Sequence, residues 1–146
     1  MLYYFDTSFV TPLFLQEPTT TQVVSFMQNF TTEQLATSYW TQVEFASLVA
    51  RHVRMQTLTE KQALQLVKNF EQYLENFFYI ITPNVDDFKL ATKLLEEHHT
   101  GLRGGDALHL AISKNHGAEC FYTLDKKLLK AASLLNISAK IGIQVH

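Results

Sequence analysis

The stretch "GLRGGDALHLAISKNHGAECFYTLDKKL", Gly101 to Leu128, carries the pattern from which the fold is read. Gly101, Gly104 and Gly105 interrupt the chain, and "DALHLAISKN" then places Ala107, Leu108, Leu110, Ala111 and Ile112 over most of a helix surface. Only Asp106, His109 and Ser113 share a narrow polar stripe at i, i+3, i+7 spacing. "ECFYTL" follows as an apolar and aromatic run of strand length, and "DKKLLKAASLLN" returns to helical spacing. Short strands of this kind, separated by helices, predict a parallel sheet covered on both faces.

Working outward gives the same alternation. "LYYF" predicts a first strand ending at Asp6, "LATS" a second, "FYIIT" a third stopped by Pro83, and "KIGIQV" a fifth. Helical spacing runs through Val23, Val24, Met27 and Phe30 after Pro18, and through Val43, Ala46, Ala50 and Val53 over residues 40–56. Another helix over 59–76 opens on Thr59 with Gln62 three residues later, the spacing of a capping box. "NVDDFKLATKLLEEHH" predicts a helix closed by Gly101. The two consecutive helices between the second and third strands interrupt strict alternation. With no repeat, low-complexity tract or linker, the expectation is one α/β domain over residues 1–146, a three-layer α/β/α sandwich on a five-stranded parallel sheet.

Composition excludes several classes. No apolar run approaches the roughly 18 residues of a membrane span. "MLYYFDTSFV" has no basic flank and carries Asp6 early, which argues against a signal peptide. The single cysteine, Cys120, permits no intrachain disulfide, is expected to be a small buried hydrophobe, and fits a reducing cytoplasm. The net charge of −2 is uneven: −4 over residues 1–50, −1 over 51–100 and +3 over 101–146. Phosphate affinity must therefore come from local patches or from metal ions.

Asp6 and Asp125 both fall at predicted carboxyl ends of strands, where ligands gather in open parallel sheets. Each also suits a helix N-cap, and Asp106 in the first turn of its helix suits the macrodipole. Against capping alone, Asp106 stands beside an apolar helix, and a buried carboxylate needs a partner such as a divalent cation. Glu44 lies among apolar residues, but Glu44, Ser47, Arg51 and Arg54 also read as an exposed polar stripe. Composition alone does not select it. The "EEHH" run, Glu96 to His99, closes a helix, and Tyr39 and Trp40 read as core rather than a base-stacking platform. No H-E-x-x-H, cysteine pair, Walker-type loop or G-x-S-x-G elbow occurs.

"YYFDTSFVTPLF", "LATSYWTQVEFASLVAR", "GLRGGDALHLAISKNHGAECFYTLDKKLLKAA" and "LLNISAKIGI" occur in order. Together they resemble the PIN-domain ribonucleases, particularly the VapC-type toxins of toxin–antitoxin pairs, over nearly the whole chain. The most specific part is "R-x-x-D-A-L-H-L-A … F-x-T-x-D-x-x-L". The resemblance implies that Asp6, Glu44, Asp106 and Asp125 gather at one end of the sheet and hold Mg²⁺ or Mn²⁺. Asp6 and Asp106 are then direct ligands, with Asp125 acting through water and Glu44 shifting with metal occupancy. Ser8 and Thr123 match small polar positions that support the acids, and further acids often accompany these four. The reaction implied is RNA hydrolysis leaving 5′-phosphate and 3′-hydroxyl ends, with tRNA among the possible substrates. Arg51, Arg54, Arg103, Lys126 and Lys127 become hypothetical RNA contacts. A homodimer and a small VapB-type antitoxin laid across the acidic groove are the implied partners.

Hard divalent cations prefer carboxylate oxygens, and Mg²⁺ keeps waters that a substrate phosphate can replace. Such an ion reconciles an acidic protein with a polyanionic substrate. A receiver-type phospho-acceptor domain would want an acidic pair after the first strand, and a haloacid-dehalogenase-type phosphatase would want Asp where Ser8 stands. The rival from another class is a catalytically inactive PIN-like module serving in RNA binding or protein assembly.

Overall fold

The computed structural model describes residues 1–144. Strands β1 (Tyr3–Phe5), β2 (Leu35–Ser38), β3 (Tyr79–Ile81), β4 (Cys120–Tyr122) and β5 (Ala139–Lys140) form one parallel sheet in the order β3-β2-β1-β4-β5. Helices α1 (Thr7–Val10), α2 (Thr20–Met27), α3 (Tyr39–Arg54), α4 (Glu60–Phe77), α5 (Val85–Leu95), α6 (Gly104–Asn115) and α7 (Lys126–Leu134) connect and cover it. The expected five-stranded α/β architecture is present, including the paired helices α3 and α4. The chain steps from β1 to β2 on one side and later returns to β4 on the other. The carboxyl ends of β1 and β4 therefore flank a switch point, the standard crevice of such sheets.

Neighbouring residues of a strand point to opposite faces, and β1 uses both for core. Phe5 joins Phe9, Val23, Phe45, Phe70 and Tyr122 on one face. Tyr4 joins Ala36, Ile81, Leu110, Ile112 and Phe121 on the other. Each fully buried aromatic of this kind contributes about 2–3 kcal/mol of transfer free energy. The Phe45 and Phe70 rings stack at a centroid distance of 3.9 Å, fixing α3 against α4. The Thr59–Gln62 capping box forms as expected, with Thr59 Oγ1 accepting from the Gln62 amide at 3.1 Å.

Several expectations are corrected. The buried face of α3 is Thr41, Phe45 and Val49, whereas Val43 is 56% exposed. The helix has two apolar stripes, and the one bearing the large Phe45 ring wins the core. Tyr39 begins α3 one turn before Val43 and is likewise exposed, while Trp40 is half-buried. Helix α5 ends at Leu95, its last apolar residue, and a separate 3-10 turn over His98–Thr100 is closed by Gly101 at φ 70°. The fifth strand begins one residue earlier than expected and ends at Lys140, while Val145 of the expected strand lies outside the described residues. Cys120 is buried, as expected. Among the described residues no helix is long and apolar enough to cross a membrane.

Candidate active site

Asp6 follows β1, and its amide donates to the Tyr122 carbonyl of β4 at 3.2 Å, carrying the strand pairing one residue further. Its side chain caps α1: Oδ1 accepts from the Phe9 amide at 3.1 Å and from the Ser8 hydroxyl at 2.7 Å. Both the capping reading and the placement at the sheet's rim are therefore correct. Asp6 is only 3% exposed, and burial raises its pKa, opposed by His109 and by hydrogen bonds from Ser8, Thr123 and Phe9.

Ser8 also joins the two strand ends. Its Oγ lies 3.2 Å from Thr123 Oγ1 and accepts from the Leu124 amide at 3.0 Å. Thr123 Oγ1 in turn accepts from the Asp125 amide at 3.1 Å. Asp125 is exposed and caps α7, its Oδ1 accepting from the Lys127 and Leu128 amides. Ser8 and Thr123 thus touch the acids or their backbone, as small polar supports would.

Asp106 sits half-buried in the first turn of α6. Burial is the main reason its carboxyl is pushed up to about 6; His109 opposes the rise, while Asp125, Asp6 and Glu44 add to it. Glu44 moves the other way. Burial alone would raise it, but the hydrogen bond and charge of His109, with the hydroxyl of Thr7, hold it below the usual carboxylate range. Thr7 Oγ1 donates to Glu44 Oε1 at 2.6 Å, and His109 Nε2 contacts the same oxygen.

All four acids line one groove of about 570 Å³, together with Thr7, Ser8 and His109. Asp106 and Asp125 also line a second groove of about 430 Å³, whose cationic side is Arg103, Lys127 and Lys130, with His99. Arg51, Arg54 and Lys126 are exposed and line neither groove. The structure therefore divides the five basic candidates, bringing only Arg103 and Lys127 to the acids and adding Lys130.

Sequence reasoning missed three contributors. Glu17 lines the acidic groove, and burial raises its pKa against an opposing effect of His52. Thr7 and His109 hold Glu44. The only available signal was the stripe of Asp106, His109 and Ser113, and the last two prove buried rather than solvated.

Among the described residues, no three His, Cys, Asp or Glu side chains lie close enough to close around one ion. Mg²⁺ does not require that, since it is commonly held through one or two carboxylates with waters completing the shell. The donor set is hard oxygen, the groove is open to water, and the charges of Asp125, Asp6 and Glu44 raise the pKa of Asp106. These residues fit a hydrated divalent cation.

The PIN domain family model matches residues 3–134. No curated protein sequence matches the chain. Among solved structures, FitAcB from Neisseria gonorrhoeae superposes with a TM-score of 0.74 at 18% identity, covering 94% of this chain and 96% of that one. VapBC2 from Rickettsia felis, bound to a DNA fragment from its promoter, gives 0.72 at 16% identity, covering 96% and 98%. Mycobacterium tuberculosis VapC20, a toxin that cleaves the sarcin–ricin loop, gives 0.71 at 18%, covering 88% and 94%.

Proposed function

The chain belongs to the PIN-domain family, and from that membership we propose that it is a metal-dependent endoribonuclease, the toxin of a toxin–antitoxin pair. The observation that carries the reading is the grouping of Asp6, Glu44, Asp106 and Asp125 on one groove, with the Asp106 carboxyl pushed up to about 6 by burial and by its neighbours' charge. Such an excess of negative charge is what a divalent cation offsets.

When bound, Mg²⁺ or Mn²⁺ would sharpen a water nucleophile and neutralise charge on the phosphate oxygens. Asp6 and Asp106 would hold it directly, with Asp125 and Glu44 completing its surroundings. Ser8 fixes Asp6 by donating to Oδ1. Arg103, Lys127 and Lys130 line the adjoining groove and would take phosphates flanking the scissile bond. Lys126, Arg51 and Arg54 remain outer contacts at most.

The likeness to VapBC complexes supports a small VapB-type antitoxin as partner; a segment of it laid over the carboxylates, presenting an Arg, would offset their charge. For the homodimer, the apolar groove of about 530 Å³ between α3, α5 and α6 offers exposed Tyr39, Val43 and Phe88. Val43→Glu should then shift the chain to a monomer in sedimentation; an unchanged mass would move the interface elsewhere.

The enzymatic reading is tested with wild type and Asp106→Asn purified in parallel and incubated with a tRNA pool and Mn²⁺, with and without EDTA. Discrete products from wild type alone, lost on chelation, are expected. A folded, antitoxin-free wild type that neither binds Mn²⁺ nor cleaves any RNA offered would leave the binding or assembly module instead.

A further inference from the structure

His109 is a buried histidine that no polar role near the sheet's rim explains by itself. It lies on α6 one turn after Asp106 and is 1% exposed. Both ring nitrogens are engaged. Nδ1 stands 2.7 Å from the Tyr4 hydroxyl, which is itself 2.8 Å from Ser38 Oγ. Nε2 contacts Glu44 Oε1 and lies 3.3 Å from Thr7 Oγ1. Tyr4 and Ser38 are fully buried, on β1 and at the end of β2. Three buried polar groups from three elements thus run in series to a single carboxylate oxygen.

Every hydrogen bond described for Glu44 goes to that oxygen, Oε1. Its other oxygen, Oε2, packs where Gly105 has no side chain, and a Cβ there would stand only 3.1 Å away. The Trp40 indole borders the same point and donates to the Gly105 carbonyl at 3.2 Å. One oxygen is therefore clamped and the other kept without a protein donor, in a slot shaped by a glycine.

We infer that His109 is a positioning residue: anchored by Tyr4 and Ser38, it clamps Glu44 through Oε1 and so sets where this carboxylate stands in the acidic groove. This rests on the metal-dependent reading above. A histidine that merely satisfied itself in the core would need Tyr4 but would have no reason to end on a groove carboxylate. The ring is held at both ends, so its orientation, and that of Glu44, is set by the sheet rather than by solvent.

The test is Mn²⁺ binding measured by calorimetry, which is independent of cleavage. A Gln amide reaches as far as Nε2, whereas an Asn amide reaches only as far as Nδ1. His109→Asn should weaken Mn²⁺ binding about 10-fold, the scale of losses when a ligand's supporting partner is removed. His109→Gln should restore most of it. In a Glu44→Gln background, His109→Asn should cost nothing further, because the clamp then has no carboxylate to present. Tyr4→Phe should weaken binding less, and it serves if His109→Asn does not fold. Wild-type affinity in folded His109→Asn, or in Tyr4→Phe when the former is unfolded, would overturn the inference alone. Failure of wild type to bind Mn²⁺ would overturn the parent reading, and the inference with it.

Discussion

Asp87 and Asp106 are both acids folded into the body of this protein, and their carboxyls are driven in opposite directions. Asp87, on α5, is fully buried, yet its pKa lies below the usual carboxylate range. Burial would raise it, but donors outweigh burial: the Asn84 amide at 2.9 Å, Asn115 Nδ2 at 2.9 Å and His116 Nε2 at 3.1 Å. Asp106 is less buried, finds other carboxylates nearby, and is pushed up to about 6. The comparison teaches how an acid that ties elements together differs from one that the proposed function would use. The first is saturated with donors that tie α5 to the end of α6. The second is left with charge that the fold does not neutralise.

The two respond oppositely to pH. A lowered folded pKa means that Asp87 contributes stability above its ordinary value of 3.8, lost as pH falls through the folded value. A raised one means that Asp106 is best tolerated below 3.8 and costs stability progressively as pH rises from there to about 6, with the full cost present above it.

The largest expected effect breaks the comparison at its functional end. Asp106→Asn should lower RNA cleavage at least about 10³-fold, equivalent to about 4 kcal/mol of transition-state stabilisation. The same change should raise the melting temperature of metal-free protein at pH 7 by about 3 °C. That gain should shrink as pH falls below about 6 and vanish in calorimetric scans below about 3.8, where Asp106 is protonated in folded and unfolded chains alike. A melting temperature that falls at every pH would make Asp106 a structural acid like Asp87. Next in size, Asp87→Ala should cost about 2–3 kcal/mol in urea unfolding, because Asn115 and His116 lose a buried acceptor. Cleavage per folded molecule should stay near wild type; a proportionate loss would tie Asp87 to the site. Smallest, Lys127→Glu should weaken RNA binding and flatten its salt dependence by roughly one contact or more, whereas Arg51→Glu should do neither. Equal effects from both would remove the basic groove from the model.

Some of the site was legible in particular residues. Asp6 and Asp125 announced themselves as acids just past apolar strands, and Asp106 as an acid beside an apolar helix. Glu44 did not, because its own helix offers a plausible solvated stripe through Arg51 and Arg54. Only resemblance selected it, and the structure supplies the partners, Thr7 and His109. The face of α3 was misread for a related reason. Val43 and Phe45 lie on two competing apolar stripes, and spacing does not reveal that Phe45 has Phe70 to stack on.

What the sequence determined by itself is local. Capping at Asp6, Asp125 and Thr59 depends on donors two or three residues away, so residue type and spacing suffice. Short apolar runs and helical spacing likewise dictate which segments are buried, because burial follows from side chains wherever the chain goes. Tertiary structure decided everything that crosses the chain. Pairing β1 with β4 brings Asp6 to Thr123 and Asp125, and packing α6 beside them brings Asp106 and His109. The direction of each acid's pKa, the division of basic residues between groove and open surface, and the clamp on Glu44 all follow from those distances. Electrostatic and hydrogen-bond energies fall steeply with separation, and separation is set by the sheet, not by position along the sequence.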